Sequence, residues 1–270
     1  MAQSSRPLAL VTGASSGIGA ALARELARHG HDVVLTARRT APMEALAAEL
    51  RSIGATATVI SADLAKPGAA AVLADELASR GLEIDVVINN AGLGALGRFD
   101  RMDAGRISEM LQVNIVALTE LTRLLLPGMV ARRRGRIMLV SSVAGFQPGP
   151  RMAVYFASKA YVTSLGEALA HELRGTGVTV TVLCPGATDT EFFDVAGAND
   201  SIMARRLRRM MPAARVAQIG YHGMTAGRHV VIAGLMNRVM ALAGRFAPHR
   251  ISLPVTDMLN VSPGDRAAGS

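Results

Sequence analysis

The sequence predicts one α/β domain in which helices cover both faces of a parallel β-sheet, a doubly wound arrangement. Three observations predict it. Apolar, strand-like runs alternate with longer helical patterns, as in consecutive βαβ units. The chain is 50% hydrophobic but only 3% aromatic and has no Trp, so its core must consist of Ala, Val, Leu, Ile and Met, as is usual where helices cover a parallel sheet. Its 270 residues suit a single domain, and no internal repeat or long linker divides them.

The predicted elements follow one another along the chain. Short runs rich in Val, Ile and Leu predict strands, and apolar residues that recur every three or four positions predict helices. In the first part, strands over residues 8–11, 33–37, 58–60 and 84–88 are joined by helices over 17–29, 42–53 and 67–80, the first helix ending at Gly30. In the second part, a long helix over 103–130, a strand over 136–141, a helix over 151–174 and a strand over 178–183 precede a short strand at 229–233 and a final helix over 235–246.

The domain is expected to cover residues 1–258, and a small, polar and disordered tail is expected over residues 259–270. A single cysteine, Cys184, excludes disulfides within the chain and is compatible with a reducing compartment, so the cytoplasm is the predicted location. No run of 18 uncharged apolar residues predicts a membrane-spanning helix, and the first residues do not resemble a secretion signal. The six histidines lack metal-site spacing, so no metal is expected.

The net charge of +8 is unevenly distributed. Residues 1–200 hold 19 basic and 19 acidic residues, whereas residues 201–256 hold nine arginines and no acid. Four of these arginines are closely spaced: Arg205, Arg206, Arg208 and Arg209. They could contact an anionic membrane, attract an anionic substrate or form a solvated basic face. The helix over 235–246 could likewise lie on a membrane or cover the domain's core or a sister subunit. Nucleic acid is not an expected partner, because stacking aromatics and DNA-reading motifs are absent.

A glycine-rich segment, T-G-A-S-S-G-I-G over residues 12–19, joins the first predicted strand to the first helix. Glycines let the backbone turn tightly and approach a pyrophosphate, whose charge is favoured by the N–H groups at a helix N-terminus. The strand–loop–helix context therefore predicts dinucleotide binding. The residues expected to line the phosphate site are Gly13, Ser15, Ser16, Gly17, Ile18 and Gly19.

Lys159 is notable because only two of the 29 basic residues are lysines. It follows Tyr155 by four positions, so the phenol and the ammonium lie on one face of the predicted helix. An ammonium held there favours the phenolate, which predicts a Tyr155 pKa below its ordinary value of about 10. Tyr155 is therefore a candidate acid/base near neutral pH. Taken alone, the pair could also be an ordinary feature of an amphipathic helix.

Several motifs together resemble the short-chain dehydrogenase/reductase family. Residues 12–19 resemble its TGxxxGxG loop, residues 89–92 its NNAG motif, and residues 155–159 its YxxxK motif. By this resemblance Asn114, Ser142, Tyr155 and Lys159 form the catalytic set. The resemblance also implies cofactor contacts from Asp63, Leu64, Asn90, Ala91, Gly92, Tyr155, Lys159, Pro185, Gly186 and Thr188. It implies a Rossmann fold and a homodimer or homotetramer.

The end of the second strand predicts which dinucleotide is bound. An acid there would accept a hydrogen bond from the ribose 2′-OH of NAD, whereas the 2′-phosphate of NADP needs a cation. The strand ends in Arg38 and Arg39, with no acid, and arginine binds phosphate through a bidentate fork. NADP(H) is therefore favoured over NAD(H), with Arg38 as the predicted contact. Two solvated surface arginines are the alternative.

The resemblance implies an enzyme that reduces a ketone or aldehyde to an alcohol with NADPH, by reversible hydride transfer to a small-molecule substrate. It places a mobile substrate flap at about residues 188–226, and Met203, Met210 and Met211 would give that flap an adaptable apolar lining suited to a bulky apolar substrate. Two other functions stay open: an NAD-dependent alcohol dehydrogenase, and a non-catalytic protein that senses dinucleotides. A sensor would be expected to lose Tyr155 or Lys159, and this chain has both.

Overall fold

The computed structural model of the protein describes residues 6–192, 196 and 211–261. Within them the strands are β1 Leu8–Thr12, β2 Asp32–Ala37, β3 Ala57–Ser61, β4 Val86–Asn89, β5 Gly135–Val140, β6 Val178–Cys184, β7 Thr188–Asp189, β8 Met211–Pro212 and β9 Val230–Ile232. The α-helices are α1 Gly17–Arg28, α2 Thr40–Ser52, α3 Ala69–Ser79, α4 Ala104–Leu111, α5 Leu118–Ala131, α6 Ala153–Glu172, α7 Ala213–Thr225, α8 Leu235–Phe246 and α9 His249–Asn260.

The predicted doubly wound parallel sheet is confirmed. In the described part of the chain, seven strands pair in the order β3–β2–β1–β4–β5–β6–β9, and every pair is parallel. The order reverses between β1 and β4, because the chain first adds strands on one side of β1 and then on the other. In sheets of this kind a ligand crevice forms outside the carboxyl ends of the strands at that reversal. The phosphate loop follows β1 there, and the NNAG segment follows β4.

Each face of the sheet carries its own hydrophobic cluster. Successive residues of a strand point to opposite faces, and β1 places Ala9 and Val11 on one side and Leu10 on the other. The first cluster is covered by α1, α2 and α7, and the second by α3, α5 and α6. Both clusters consist mainly of Ala, Val, Leu, Ile and Met, as the composition predicted.

The helix predicted over residues 103–130 is interrupted. Asp103 caps α4 by accepting a hydrogen bond from the Arg106 amide at 2.8 Å, and a π-helical turn, Gln112–Ala117, separates α4 from α5. Such turns occur often at functional sites. The periodic pattern could not reveal it, because a π-turn changes the phase of the helix without changing residue type.

By length and composition alone, the stretch Ala104–Ala131 could cross a membrane, and an 18-residue part of it has a mean hydropathy of 1.4. In the structure Leu118, Leu121 and Met129 of this stretch lie in the core beneath the sheet. It has the packing of a helix that covers a sheet, and such core helices pass the same test of length and composition.

Two helices near the C-terminus were not predicted. α7 lies inside the segment assigned to the flap, but its Val216, Ala217 and Tyr221 belong to the hydrophobic cluster shared with α1. This part of the predicted flap therefore belongs to the layer that covers the sheet. Residues 193–195 and 197–210, including Arg205, Arg206, Arg208, Arg209, Met203 and Met210, lie outside the described residues.

The first two residues of the tail predicted over residues 259–270 belong to a helix. α9 extends to Asn260, whose buried Nδ2 donates a hydrogen bond to the Pro150 carbonyl at 2.9 Å. α9 was missed because Pro254 lies inside it and because its buried side is polar, so it lacks the apolar stripe that predicts a helix. Residues 262–270 lie outside the described part of the chain.

Candidate active site

The phosphate loop turns on glycines that occupy backbone conformations unfavourable to other residues. Gly13 and Gly17 have φ of 65° and 56°. Gly19 has a different reason to be glycine, since a Cβ there would lie 2.3 Å from the Gly13 carbonyl oxygen. The first turn of α1 consequently packs directly against the loop. Ser16 precedes α1 without capping it through its side chain, and the first turn contains no acid that would compete with a phosphate.

The NNAG segment holds the phosphate loop in place. Asn90 Nδ2 donates hydrogen bonds to the carbonyls of Thr12 at 2.9 Å and Gly13 at 3.2 Å. Thr12 Oγ1 accepts hydrogen bonds from the backbone amides of Asn90 and Ala91, both at 3.0 Å. The ends of β1 and β4 are thus tied together at the reversal of the strand order. These hydrogen bonds explain physically why the chain has both motifs, although they lie nearly 80 residues apart.

A cleft of about 480 Å³ runs along the carboxyl ends of the strands. It brings together nearly all of the predicted site residues. Its lining includes Gly13, Ser15, Ser16, Gly17, Ile18, Arg38, Asp63, Leu64, Asn90, Ala91, Gly92, Ser142, Tyr155, Lys159, Pro185, Gly186 and Thr188. The two predicted residues outside this lining are Gly19, which packs on Gly13, and Asn114, which lies behind the cleft wall.

Tyr155, Lys159 and Ser142 lie at one end of this cleft. Lys159 is buried and its Nζ donates a hydrogen bond to the Val140 carbonyl at 2.9 Å, which fixes α6 to the end of β5. The same Nζ lies 5.8 Å from the centroid of the Tyr155 ring. Ser142 Oγ accepts a hydrogen bond from the Ala144 amide at 3.1 Å. The side chains of a Tyr, a Lys and a Ser, from one helix and one strand end, thus meet at a single wall.

The pKa of Tyr155 differs from the expectation. Burial raises it to about 12, and the neighbouring Ser142 hydroxyl lowers it by a smaller amount. The predicted lowering by Lys159 is not seen, because the ammonium is bound to the Val140 carbonyl and loss of hydration dominates. Burial also lowers the pKa of Lys159 to about 8, against a smaller opposite effect of Cys184. Tyr155 therefore keeps its proton at neutral pH, as a proton donor requires.

Asn114 occupies the π-helical turn and makes three hydrogen bonds to its surroundings. Its Nδ2 donates to the Leu93 carbonyl and to Ser158 Oγ, both at 2.9 Å, and its Oδ1 accepts from the Leu93 amide at 2.8 Å. A Cβ on Gly92 would lie 3.3 Å from Lys159 Nζ and 3.5 Å from Asn114 Oδ1, so both atoms flank this glycine. Ser158, which no sequence motif indicated, connects Asn114 to α6.

The two arginines after β2 have different surroundings. Arg38 is exposed and lines the cleft. Arg39 lies against the phosphate loop, where its guanidinium donates to Ser15 Oγ at 3.4 Å and Ser16 Oγ at 3.3 Å. It also pairs with Glu191 at 2.6 Å, and hydrogen bonds from Arg39 and then Ser16 lower the pKa of Glu191. Arg39 was named in the sequence only as a neighbour of Arg38, yet it has the closer contact with the loop.

Apolar side chains that no sequence motif indicated lie near Tyr155. The rings of Tyr155 and Phe192 have centroids 5.1 Å apart. The further apolar members of the lining near this end are Met152, Phe156, Met240 and Leu259. Met240 and Leu259 come from α8 and α9, far along the chain, and no local pattern indicated that these helices return to the cleft.

The residues of this cleft suit a dinucleotide. Close backbone approach at the glycines, hydroxyls of Ser15 and Ser16 at a helix start, and guanidinium groups beside them are the chemistry that binds a pyrophosphate. Among the described residues no group of His, Cys, Asp and Glu side chains is arranged to hold a metal ion. Such a cleft, ending at a protonated tyrosine, defines an oxidoreductase that uses a nicotinamide dinucleotide to interconvert hydroxyl and carbonyl groups.

The comparison with known proteins identifies the family. Residues 7–200 match the family model described as short chain dehydrogenase, and the chain belongs to this family. An uncharacterized oxidoreductase of Myxococcus xanthus is 38% identical over 191 residues, which cover 71% of this chain and 76% of that protein. The 17-beta-hydroxysteroid dehydrogenase type 3 of Rattus norvegicus is 36% identical over 185 residues, which cover 67% of this chain and 60% of that protein.

Solved structures agree with this placement. A short-chain dehydrogenase from Sphingobium yanoikuyae in complex with NADPH has 36% identity and a TM-score of 0.79, covering 88% of this chain and 92% of its own. The bulky-bulky ketone specific alcohol dehydrogenase from Comamonas testosteroni has 33% identity and a TM-score of 0.75, covering 86% and 88%. A family member from Burkholderia phymatum in complex with NAD has 27% identity and a TM-score of 0.79, covering 88% and 92%. The protein is therefore an NAD(P)-dependent short-chain dehydrogenase acting on hydroxyl or carbonyl groups.

Proposed function

We propose that the protein is an NADPH-dependent reductase of bulky, apolar ketones or aldehydes, working by reversible hydride transfer. The observation that carries this proposal is the apolar wall around a protonated Tyr155. Phe156, Phe192 and Met240 supply much of that wall. Similarity to the ketone-specific enzyme of Comamonas testosteroni and to the rat hydroxysteroid dehydrogenase supports the same substrate class.

In this proposal the bound dinucleotide supplies the hydride, and the chain's own residues handle the proton and the oxygen. Tyr155 donates its proton to the carbonyl oxygen, and Ser142 donates a hydrogen bond that orients the same oxygen. Lys159 stabilises the tyrosinate that remains after transfer, because an ammonium nearby favours a negative charge. Asn114 holds the Leu93 backbone and Ser158 in place, and its Oδ1 has capacity to accept from a water that links Lys159 to solvent.

The substrate class is tested by following NADPH oxidation over a panel of aromatic ketones, steroids, 3-oxoacyl thioesters and small sugars. We expect the bulky apolar ketones to be turned over with the highest kcat/KM. A preference for sugars or other small polar carbonyls would contradict the proposed substrate class while leaving the reaction class intact. Turnover only with NAD and an alcohol would identify the NAD-dependent alcohol dehydrogenase instead.

The cofactor preference is tested at Arg38. Arg38→Ala should weaken NADPH binding about 10- to 100-fold and leave NADH binding nearly unchanged, because only NADPH has a 2′-phosphate. This range corresponds to the ~1.5–3 kcal/mol of a lost charge-assisted hydrogen bond. Fluorescence titration of both dinucleotides gives the affinities. Arg123→Ala, at an exposed arginine of α5, is the matched control. Equal losses of affinity for NADPH and NADH would contradict a contact between Arg38 and the 2′-phosphate.

The pH dependence follows from the pKa of Lys159. Its pKa is lowered to about 8, so the ammonium is present below that pH and is lost as the pH rises through it. Tyr155, with a pKa raised to about 12, keeps its proton over the same range. We therefore expect kcat/KM for reduction to fall as the pH increases above about 8, since kcat/KM reports groups of the free enzyme. A profile that stays flat between about pH 7 and pH 9 would contradict the role given to Lys159.

Three further predictions stay proposals. We expect a substrate flap in the part of residues 188–212 that precedes α7, assembly as a homodimer or homotetramer, and residence in the cytoplasm. Size-exclusion chromatography with light scattering tests the assembly.

A further inference from the structure

α8 buries small residues and exposes large apolar ones, the reverse of a helix that covers a core. The residues it buries are Ala241 and Gly244, and a Cβ on Gly244 would lie 2.8 Å from Gln147 Oε1, so this side packs closely on the segment after β5. Its large apolar residues point outwards. These residues are Leu235, Met236, Val239, Leu242 and Phe246. Their exposed fractions range from 56% for Val239 to 76% for Leu235. A soluble surface helix normally buries such residues.

α9 repeats the same reversal. Ser252, Thr256 and Asn260, spaced four apart, form a buried polar stripe on its inner side. On its outer side Ile251, Val255 and Met258 are exposed by 59%, 49% and 50%. The outer apolar residues of the two consecutive helices, named above, are called the α8–α9 face. Monomeric soluble proteins rarely expose this many large apolar side chains within about 25 residues without a function.

Basic residues outnumber acidic ones on these helices by three arginines to one aspartate. Arg238, Arg245 and Arg250 are exposed, and residues 211–256 contain no acid. The single carboxylate of the pair, Asp257, is engaged by Arg151 at 2.8 Å on the side facing the domain. The exposed charges that α8 and α9 themselves offer beside the apolar side chains are therefore mainly those of the three arginines. A second copy related by a twofold axis would bring the same arginines towards one another, whereas a surface of anionic lipid neutralises all of them.

We propose that the α8–α9 face docks on the surface of an anionic lipid bilayer. The apolar side chains would enter the boundary between head groups and acyl chains, and the three arginines would lie among the head groups, as in interfacial amphipathic helices. Because Met240 of α8 and Leu259 of α9 also line the active-site cleft, docking would set one wall of that cleft against the lipid. The proposal concerns location and is independent of the substrate assigned above.

Flotation of the purified full-length protein with vesicles tests this docking. We expect the protein to float with vesicles of phosphatidylcholine and phosphatidylserine, and to stay in solution with phosphatidylcholine alone. Binding should fall steeply as salt is added, because the charges are screened over a Debye length of about 8 Å at physiological ionic strength. Binding that is equal for both lipid compositions, or absent from both, would overturn the proposal.

Two sets of variants locate the contact. Leu242→Glu with Phe246→Glu should abolish flotation, whereas Val72→Glu with Phe99→Glu, at equally exposed apolar positions elsewhere, should not. Replacing Arg238, Arg245 and Arg250 with Gln should lower the partition coefficient roughly 100-fold, at about fivefold for each arginine. The same replacement at Arg101, Arg123 and Arg174, which are also exposed, is the charge-matched control.

The remaining outcomes separate lipid from protein as the occupant. None of the replaced side chains lines the cleft, so all variants should keep wild-type melting temperature and turnover of a water-soluble ketone. Flotation that survives in the Leu242→Glu, Phe246→Glu variant would place the contact elsewhere and overturn the proposal. If this variant instead turns an oligomer into a monomer, and the wild type never floats, the face is an interface between copies of the chain.

Discussion

Tyr155→Phe should lower kcat for ketone reduction at least about 100-fold, the usual scale of a general-acid contribution. The change removes only the phenolic oxygen. The ring packs against Phe192 and Phe156, at centroid distances of 5.1 Å and 6.1 Å, and Phe can keep both contacts. We therefore expect unchanged thermal stability and an NADPH affinity close to that of the wild type. Stopped-flow single turnovers, together with a dinucleotide titration, separate loss of chemistry from loss of binding.

The same helix provides a matched control for this change. Tyr161 lies six residues further along α6, is 37% exposed and shares a hydrogen bond with Thr119 at 3.0 Å. Tyr161→Phe removes the same atom from the protein without touching the cleft, so its turnover should resemble that of the wild type. Near-normal turnover in Tyr155→Phe would exclude Tyr155 as the acid. Equal loss in both variants would point to damage to α6 instead.

Lys159→Arg should be impaired to a similar extent, although the charge is kept. Lys159 Nζ is buried, donates to the Val140 carbonyl at 2.9 Å and lies so close to Gly92 that a Cβ there would be 3.3 Å away. A planar guanidinium needs more room and more acceptors than this site offers. We expect a loss of about 100-fold or more in kcat/KM, with weaker dinucleotide binding as a second effect. Steady-state kinetics and titration with NADPH measure both.

Lys66→Arg is the control, because Lys66 is the chain's other lysine and is exposed. Its activity should equal that of the wild type. Lys159→Met adds a second comparison, since it keeps approximate length but has no charge at any pH. If Lys159→Arg were as active as the wild type, a compact ammonium would not be needed, and the reason given for a lysine at this position would fail.

The fold could be predicted from the sequence because its signals are local. Alternating strand and helix patterns determine a parallel sheet, since parallel strands need crossover connections. The buried strands of this sheet consist of apolar runs with few charges, and all seven of its strands were predicted within a few residues. The phosphate loop could be recognised for the same reason, because strand, loop and helix are consecutive in the chain. The π-helical turn at Asn114 could not be recognised, because it leaves no mark in the pattern of residue types.

The sequence by itself therefore determined the architecture, the phosphate loop and the pairing of Tyr155 with Lys159, which depend on neighbours within one or two turns or one βα unit. The tertiary structure alone decided the direction of the Tyr155 pKa, because burial is a property of the whole fold and here outweighs the nearby charge. It also decided that Arg39 lies beside the phosphate loop. Finally, it decided which side of α8 and α9 faces the protein. Hydrophobic periodicity locates an apolar face, but only packing determines whether that face is covered.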